Sequence, residues 1–362
     1  MNKKAKAILL LSGGLDSSLA GAILKRENIE VLAIRFITGL EYSIIKEELM
    51  EIYNNDPAKK IADFLNIPIR FVSLKDKYID MFLNPKYGYG SAINPCLDCH
   101  ILMLKTAKEI MEKEGFNFVA TGEVKGQRPM SQKPQDLINA IKESGLEGRL
   151  LRPLSAKLLP ITIPEKEGLI NRENLFGIYG RARHTQMELA KEFGIKDYPI
   201  PAGSGCSIVD KSYAKRYNEL ISYNTTKIIN MEIMQYLAIG RHIRIEDNAK
   251  LILGRNEKEN NALEKRDRIK IKRIDDITLK PNYNKGPFGY LEIYEDNIND
   301  NDKENNLKEI IYKSAMIMGY FSKEETENLS ITVSIIINGK EEKKEIIINN
   351  AGSKNTKFEQ II

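Results

Sequence analysis

The sequence predicts an α/β protein, with a parallel sheet over residues 1–210 followed by a smaller α+β domain over residues 211–362. Three observations carry this. Short apolar runs without polar alternation recur between helix-like stretches in the first third of the chain, the pattern of strands covered on both faces. From about Gly122 to Asp210 the chain turns rich in arginine, glycine and proline, as functional loops do. From Lys211 the rhythm changes again, to a helix followed by short strands.

In order, strands are expected at Ala7 to Leu11, Val31 to Phe36, Ile69 to Ser73 and Phe118 to Thr121. Helices are expected at Ser18 to Arg26, at Pro57 to Leu65, where proline suits a first turn, and at His100 to Glu114. Right-handed crossovers would gather Ser12, Phe36 and Thr121-Gly122 along one sheet edge, where open α/β sheets bind ligands. In the second domain, strands are expected at His242 to Ile245, Lys250 to Leu253, Arg268 to Ile274 and Ile331 to Ile337. Helices are expected at Glu257 to Lys265 and Glu304 to Met318, with a solvated spacer at Asp296 to Asn306.

Composition narrows the class. Charged residues at 29% and a net charge of +5 permit a nucleic-acid partner without requiring one. The apolar run behind Lys3-Lys4 is broken by Gly13, Gly14 and Asp16, and no stretch is long enough to span a bilayer, so a cytoplasmic protein is expected. Three cysteines are too few for a disulfide scaffold and read as thiols or metal ligands.

Ser12-Gly13-Gly14-Leu15-Asp16-Ser17, between a strand and a helix, is the strongest local signal. Glycine lets backbone N–H groups turn toward a ligand, and the helix N-terminus adds partial positive charge, so the segment is suited to a polyphosphate. No lysine follows Gly14, which excludes a Walker A loop, and the Gly-x-Gly-x-x-Gly of dinucleotide folds is missing. Asn94-Pro95-Cys96-Leu97-Asp98-Cys99-His100 sets a C-x-x-C ahead of a helix, and Cys206 lies in a glycine-rich run. Three thiolates suit a [4Fe-4S] cluster with one free iron; a zinc site completed by His100 or His184, a persulfide pair and plain buried thiols are the alternatives.

The loop resembles the PP-loop of the ATP pyrophosphatases, which implies an adenine nucleotide α-hydrolase-like fold. With Asn94 to His100, the run Ala120 to Gln132 and Arg152-Pro153-Leu154-Ser155-Ala156-Lys157, residues 5 to 210 resemble iron-sulfur-dependent PP-loop tRNA thiolation enzymes of the 4-thiouridine synthase-like or 2-thiouridylase-like kind. Gly240 to Ile245 with Ala249 to Asn256 resemble the RNA-binding module of NFACT proteins.

The resemblance implies ATP on Ser12, Gly13, Gly14, Asp16, Ser17, Phe36, Thr121 and Gly122, with Asp16 holding Mg²⁺. It implies a [4Fe-4S] cluster on Cys96, Cys99 and Cys206, with Asp16, Cys99 and Cys206 in catalytic roles. A uridine carbonyl oxygen of tRNA would be adenylated and replaced by sulfur from a sulfide or other sulfur donor, giving 4-thiouridine first and 2-thiouridine as the alternative. A PP-loop ligase with a structural zinc, and an RNA-binding protein without chemistry, are the other readings. Arg128, Arg152, Lys157, Arg181 and Arg183 are candidate RNA contacts, and Arg268, Lys270 and Lys272 would line one face of a strand. A homodimer is compatible with all of this.

Overall fold

The first sheet is parallel because its strands have no polar face to give to water. The computed structural model describes residues 5–40, 53–196, 198, 206–223, 229–264, 276–283, 285–293, 303–337 and 340–361. They divide into two units, one ending at Val209 and the other beginning at Asp210. In the first, β1 (Lys6–Leu10), β2 (Glu30–Ile37), β3 (Ile69–Ser73), β4 (Phe118–Thr121) and β5 (Leu150–Leu151) pair in parallel in the order β3-β2-β1-β4-β5. Ala7 and Leu9 turn to one face and Ile8 to the other, and none of the three is exposed.

Helices α1 (Leu15–Arg26), α2 (Pro57–Phe64), α3 (Lys75–Leu83), α4 (Cys96–Glu114), α5 (Pro134–Ser144) and α6 (His184–Glu192) accompany the sheet. Leu19 and Ile23 of α1 join Leu9, Val31 and Phe118 in one buried cluster. Asp56 caps α2 by accepting the Ala58 N–H at 2.8 Å. The chain lays β2 and β3 on one side of β1 and returns to lay β4 and β5 on the other. The loops leaving β1 and β4 therefore diverge from adjacent strands and open a crevice at the switch of strand order.

Two starts differ from the sequence-based reading, and both bear on chemistry. Helix α1 begins at Leu15, not Ser18, because Gly14 takes extended backbone (φ −79°, ψ 161°) and acts as N-cap, which draws Asp16 into the first turn. Helix α4 begins at Cys96, so the C-x-x-C lies inside its first turns instead of ahead of it. Helix α5 falls in a stretch read as loop; Pro134 opens it, the left-handed Gly145 closes it, and Leu137 and Ala140 bury one face.

The second unit is an antiparallel sheet in the order β11-β10-β8-β9-β7-β6-β12. Its strands are β6 (Arg241–Glu246), β7 (Ala249–Leu253), β8 (Asp276–Pro281), β9 (Gly289–Ile293), β10 (Asn328–Ile337), β11 (Lys340–Asn349) and β12 (Glu359–Ile361). Helices α7 (Lys211–Tyr223), α8 (Met231–Tyr236), α9 (Glu257–Glu264), α10 (Lys303–Tyr320) and α11 (Asn350–Lys354) complete it. One sheet face packs Ile243, Leu251, Leu279, Leu291 and Ile331 against Ile310, Ala315 and Met318 of α10. The expected strand at Arg268 to Ile274 lies outside the described residues. Helix α10 starts at Lys303, inside the expected spacer.

The opposite face of this sheet buries charge. Lys250 is 1% exposed, and its Nζ donates to Glu219 Oε2 of α7 at 2.8 Å; Arg244 donates to the other oxygen of the same carboxylate. Burial, then the neighbouring Lys250 and Arg216 charges, pushes His242 well below the ordinary imidazole range. Removing one partner of such a cluster leaves buried charge less well compensated. Glu219→Gln is expected to cost about 3–5 kcal/mol in denaturant unfolding, and adding Lys250→Met should return part of that loss.

Candidate active site

Ser12 leaves β1 and Gly13 turns the chain through φ +79°. A side chain at Gly13 would sit 2.5 Å from the Pro57 and Ala58 backbone, so the loop lies directly on the start of α2. Hydroxyl groups stitch the loop to itself. Ser12 Oγ and Ser17 Oγ are 3.0 Å apart, Ser17 Oγ donates to the Gly14 carbonyl at 3.0 Å, and Ser18 Oγ donates to it at 2.9 Å. Gly14 offers no side chain to cap α1, so the first-turn amides of Leu15, Asp16 and Ser17 have no intrahelical acceptor and no side-chain cap. That arrangement receives an anion.

Asp16 stands beside those amides with its two oxygens in different settings. Oδ2 accepts the Gln127 Nε2–H at 2.7 Å and has the Arg183 guanidinium at 3.8 Å. Oδ1 is buried and has no hydrogen-bond partner. Gln127 is in turn held by Gln186 of α6, whose Nε2 donates to Gln127 Oε1 at 3.3 Å. A carboxylate locked on one oxygen and open on the other, next to a phosphate-type loop, fits a hard cation such as Mg²⁺.

The β4 exit completes the crevice. A Cβ at Gly122 would come within 2.4 Å of the Ser17 nitrogen, so only glycine lets this loop rest on the first turn of α1. Phe36 has a 4% exposed side chain in the core, lies opposite Val72 of β3, and accepts the Arg35 Nη1–H on its carbonyl at 3.3 Å. Behind Gly122, Glu123 is buried and accepts from three sides: Thr121 Oγ1 at 3.0 Å and Arg152 Nε at 2.8 Å on Oε2, with His100 Nδ1 at 3.2 Å on Oε1. Burial alone would raise the Glu123 carboxyl; the Arg152 charge and the His100 contact overcome it and hold it at about 2.

Cys96 and Cys99 share the start of α4, no disulfide involves any of the three cysteines, and Cys96 Sγ accepts the Asn94 amide at 3.1 Å. Asp98, between them, accepts the Lys86 and Tyr87 N–H groups at 2.9 and 3.1 Å and so anchors the preceding loop. Among the described residues no three His, Cys, Asp or Glu side chains form a group able to hold a metal ion.

The basic candidates separate by environment. Arg128 and Arg181 are exposed. Lys157 donates to the Glu173 carbonyl at 2.9 Å. Arg183 faces Asp16, which places it at the nucleotide loop. Arg152 is 1% exposed and belongs to the Glu123 ion pair, so it is not an RNA contact. Arg268, Lys270 and Lys272 lie outside the described residues. Sequence reasoning missed Gln127, Gln186 and Glu123 as site residues; Gln127 and Glu123 stood in a quoted motif, whereas Gln186 carries no local signal.

This is a five-stranded parallel α/β unit with a glycine loop leaving its central strand, followed in the chain by an antiparallel-sheet unit. Residues 5–144 match the family model described as tRNA methyl transferase HUP domain, and residues 240–358 match that of the NFACT protein RNA binding domain. Among curated proteins, the chain is 36% identical over 132 residues to the tRNA-specific 2-thiouridylase MnmA of Caldicellulosiruptor saccharolyticus, covering 33% of this chain and 35% of that one. It is 27% identical over 188 residues to its namesake from Geotalea uraniireducens, covering 48% of each. The chain thus spans a third to a half of the length of these relatives. A solved 4-thiouridine synthetase–RNA complex with bound ATP aligns at 18% identity and a TM-score of 0.33, covering 53% of this chain and 52% of that one.

Because Glu123 is held below its unfolded value of 4.5, its stabilisation is complete above that pH and is lost as pH falls through about 2. Glu123→Gln is expected to cost about 3–5 kcal/mol at pH 7, by stranding buried Arg152, and to flatten the acid limb of the stability profile measured by denaturant unfolding.

Proposed function

We propose that this chain is an ATP-dependent tRNA sulfurtransferase that adenylates a uridine carbonyl oxygen and replaces it with sulfur. The observation that carries the reading is Asp16, with Oδ2 fixed by Gln127 and Oδ1 buried and open, beside uncapped amides of α1. The match of residues 5–144 to a tRNA-modification domain and of residues 240–358 to an RNA-binding domain supports tRNA as the substrate.

The polyphosphate would lie on the amides of Gly13 to Ser17, with Arg183 at its flank. Mg²⁺ held on Asp16 would neutralise phosphate charge. The adenosine would meet the main chain at Phe36 and Thr121-Gly122. The uridine oxygen attacks the α-phosphorus, forming one P–O bond as the bond to pyrophosphate breaks. A sulfur nucleophile then attacks the activated carbon, and the C–O bond breaks with AMP leaving. Sulfur at the oxidation level of sulfide makes this redox-neutral; a persulfide on one cysteine of the Cys96 and Cys99 pair would form the S–C bond, and the other thiol would then break the S–S bond, leaving a disulfide for an external thiol reductant to reduce. No step is assigned to a [4Fe-4S] cluster on Cys96, Cys99 and Cys206; iron analysis of anaerobically purified protein tests for one. Relatives named 2-thiouridylases favour the O2 carbonyl over O4, and nucleoside analysis of tRNA from cells with and without the protein distinguishes 2-thiouridine from 4-thiouridine.

A Cβ at Gly14 would meet nothing nearer than Ser12 Oγ at 3.5 Å, so Gly14→Ala should fold normally yet crowd the phosphate. Its ATP affinity by calorimetry is expected to fall about tenfold or more, with Tm unchanged. Asp16→Asn should lower tRNA-dependent pyrophosphate release by about 100-fold, the loss of a few kcal/mol of charge stabilisation. Cys99→Ala should stop sulfur incorporation while pyrophosphate release continues; loss of both activities would contradict the separation of activation from sulfur transfer.

A further inference from the structure

Tyr179 is 63% exposed, more than any other large aromatic side chain the structure describes as exposed. Single exposed apolar residues are ordinary, but this one is built in. Its ring lies on the Cα of Gly126: a Cβ there would come within 2.9 Å of Tyr179 Cε2, and Gly126 sits at φ +81°. A bridge between Lys125 and Tyr179, with the Gly180 N–H donating to the Lys125 carbonyl at 2.9 Å, fixes the backbone beneath it. Glycines at 177 and 180 flank it and leave the outer side of the ring uncovered. Among the described residues the ring meets no other ring.

Its position gives the exposure meaning. Gly126 precedes Gln127, which holds Asp16 at 2.7 Å, and Arg183, four residues beyond Tyr179, has the same carboxylate at 3.8 Å. Those connections keep the ring on the order of 10 Å from the nucleotide loop. Arg128 and Arg181, both exposed, follow Lys125 and Tyr179 by a few residues on the two segments that form the bridge. A base taken out of an RNA stack loses its stacking partners, and an aromatic face flanked by cations returns them.

We infer that Tyr179 is the stacking platform that receives a base of the RNA substrate at the mouth of the nucleotide crevice, a positioning residue that rests on the sulfurtransferase reading. The test uses the full chain with a non-hydrolysable ATP analogue and a tRNA transcript carrying 5-bromouridine in place of uridine. Irradiation should cross-link Tyr179, located by peptide mapping. In unmodified transcript, Tyr179→Ala should weaken tRNA binding by about 5- to 100-fold at unchanged Tm, and Tyr179→Phe should stay within about twofold of wild type, since the ring and not the hydroxyl does the stacking. If wild type binds tRNA but cross-links only elsewhere, or if Tyr179→Ala binds tRNA as wild type does, the platform is wrong and the sulfurtransferase reading stands. A fall in ATP affinity without a fall in tRNA affinity would assign the ring to adenine and overturn the inference. If wild-type protein binds no tRNA, both readings fail together.

Discussion

One buried carboxylate organises the parallel-sheet unit. Glu123 takes hydrogen bonds from the β4 terminus through Thr121, from the segment after β5 through Arg152, and from the start of α4 through His100. The strand end that presses Gly122 onto α1 and the helix that carries the two thiols are thus tied to the same two oxygens. Arg152 is as buried as Glu123, and its Nη2 has no partner, so the guanidinium leans on this one carboxylate for its compensation. A charge pair of this kind contributes little beyond what an apolar pair would, yet it is costly to break, which makes it a device for holding one arrangement. The arrangement held here is the crevice.

Around that anchor, polar side chains divide into those that hold and those left to bind. Gln186 holds Gln127, Gln127 holds one oxygen of Asp16, and the chain of contacts ends at an oxygen with no protein partner. The same logic appears in the α1 N-terminus, where the serine hydroxyls satisfy one another and the Gly14 carbonyl while the leading amides are left uncapped. In the second unit the basic residues that carry the NFACT likeness are mostly occupied. Arg241 lies over Phe321, Arg244 over Tyr223, and His242 is buried against the Ile239 carbonyl.

Much of this was legible before any coordinates. The strand at Phe118 to Thr121 falls where an apolar run puts it, since a strand buried on both faces has little else to be made of. Strand β11 was not legible, because its first half is Lys340 to Glu345, charges that suit a sheet edge and read as loop. Helix α5 was hidden by the Arg, Gly and Pro content on either side of it. Arg152 read as a surface cation because arginine usually is one; only its 1% exposure shows otherwise.

The glycine loop, the C-x-x-C and the two-domain rhythm are local properties, and local sequence determines them: a backbone needing φ above zero selects Gly13, and an amide without a cap selects Gly14. Tertiary structure alone decided which distant residues meet. Gln127 and Arg183 reach Asp16 across 111 and 167 positions, because such encounters depend on how whole elements pack. No spacing along the chain encodes them.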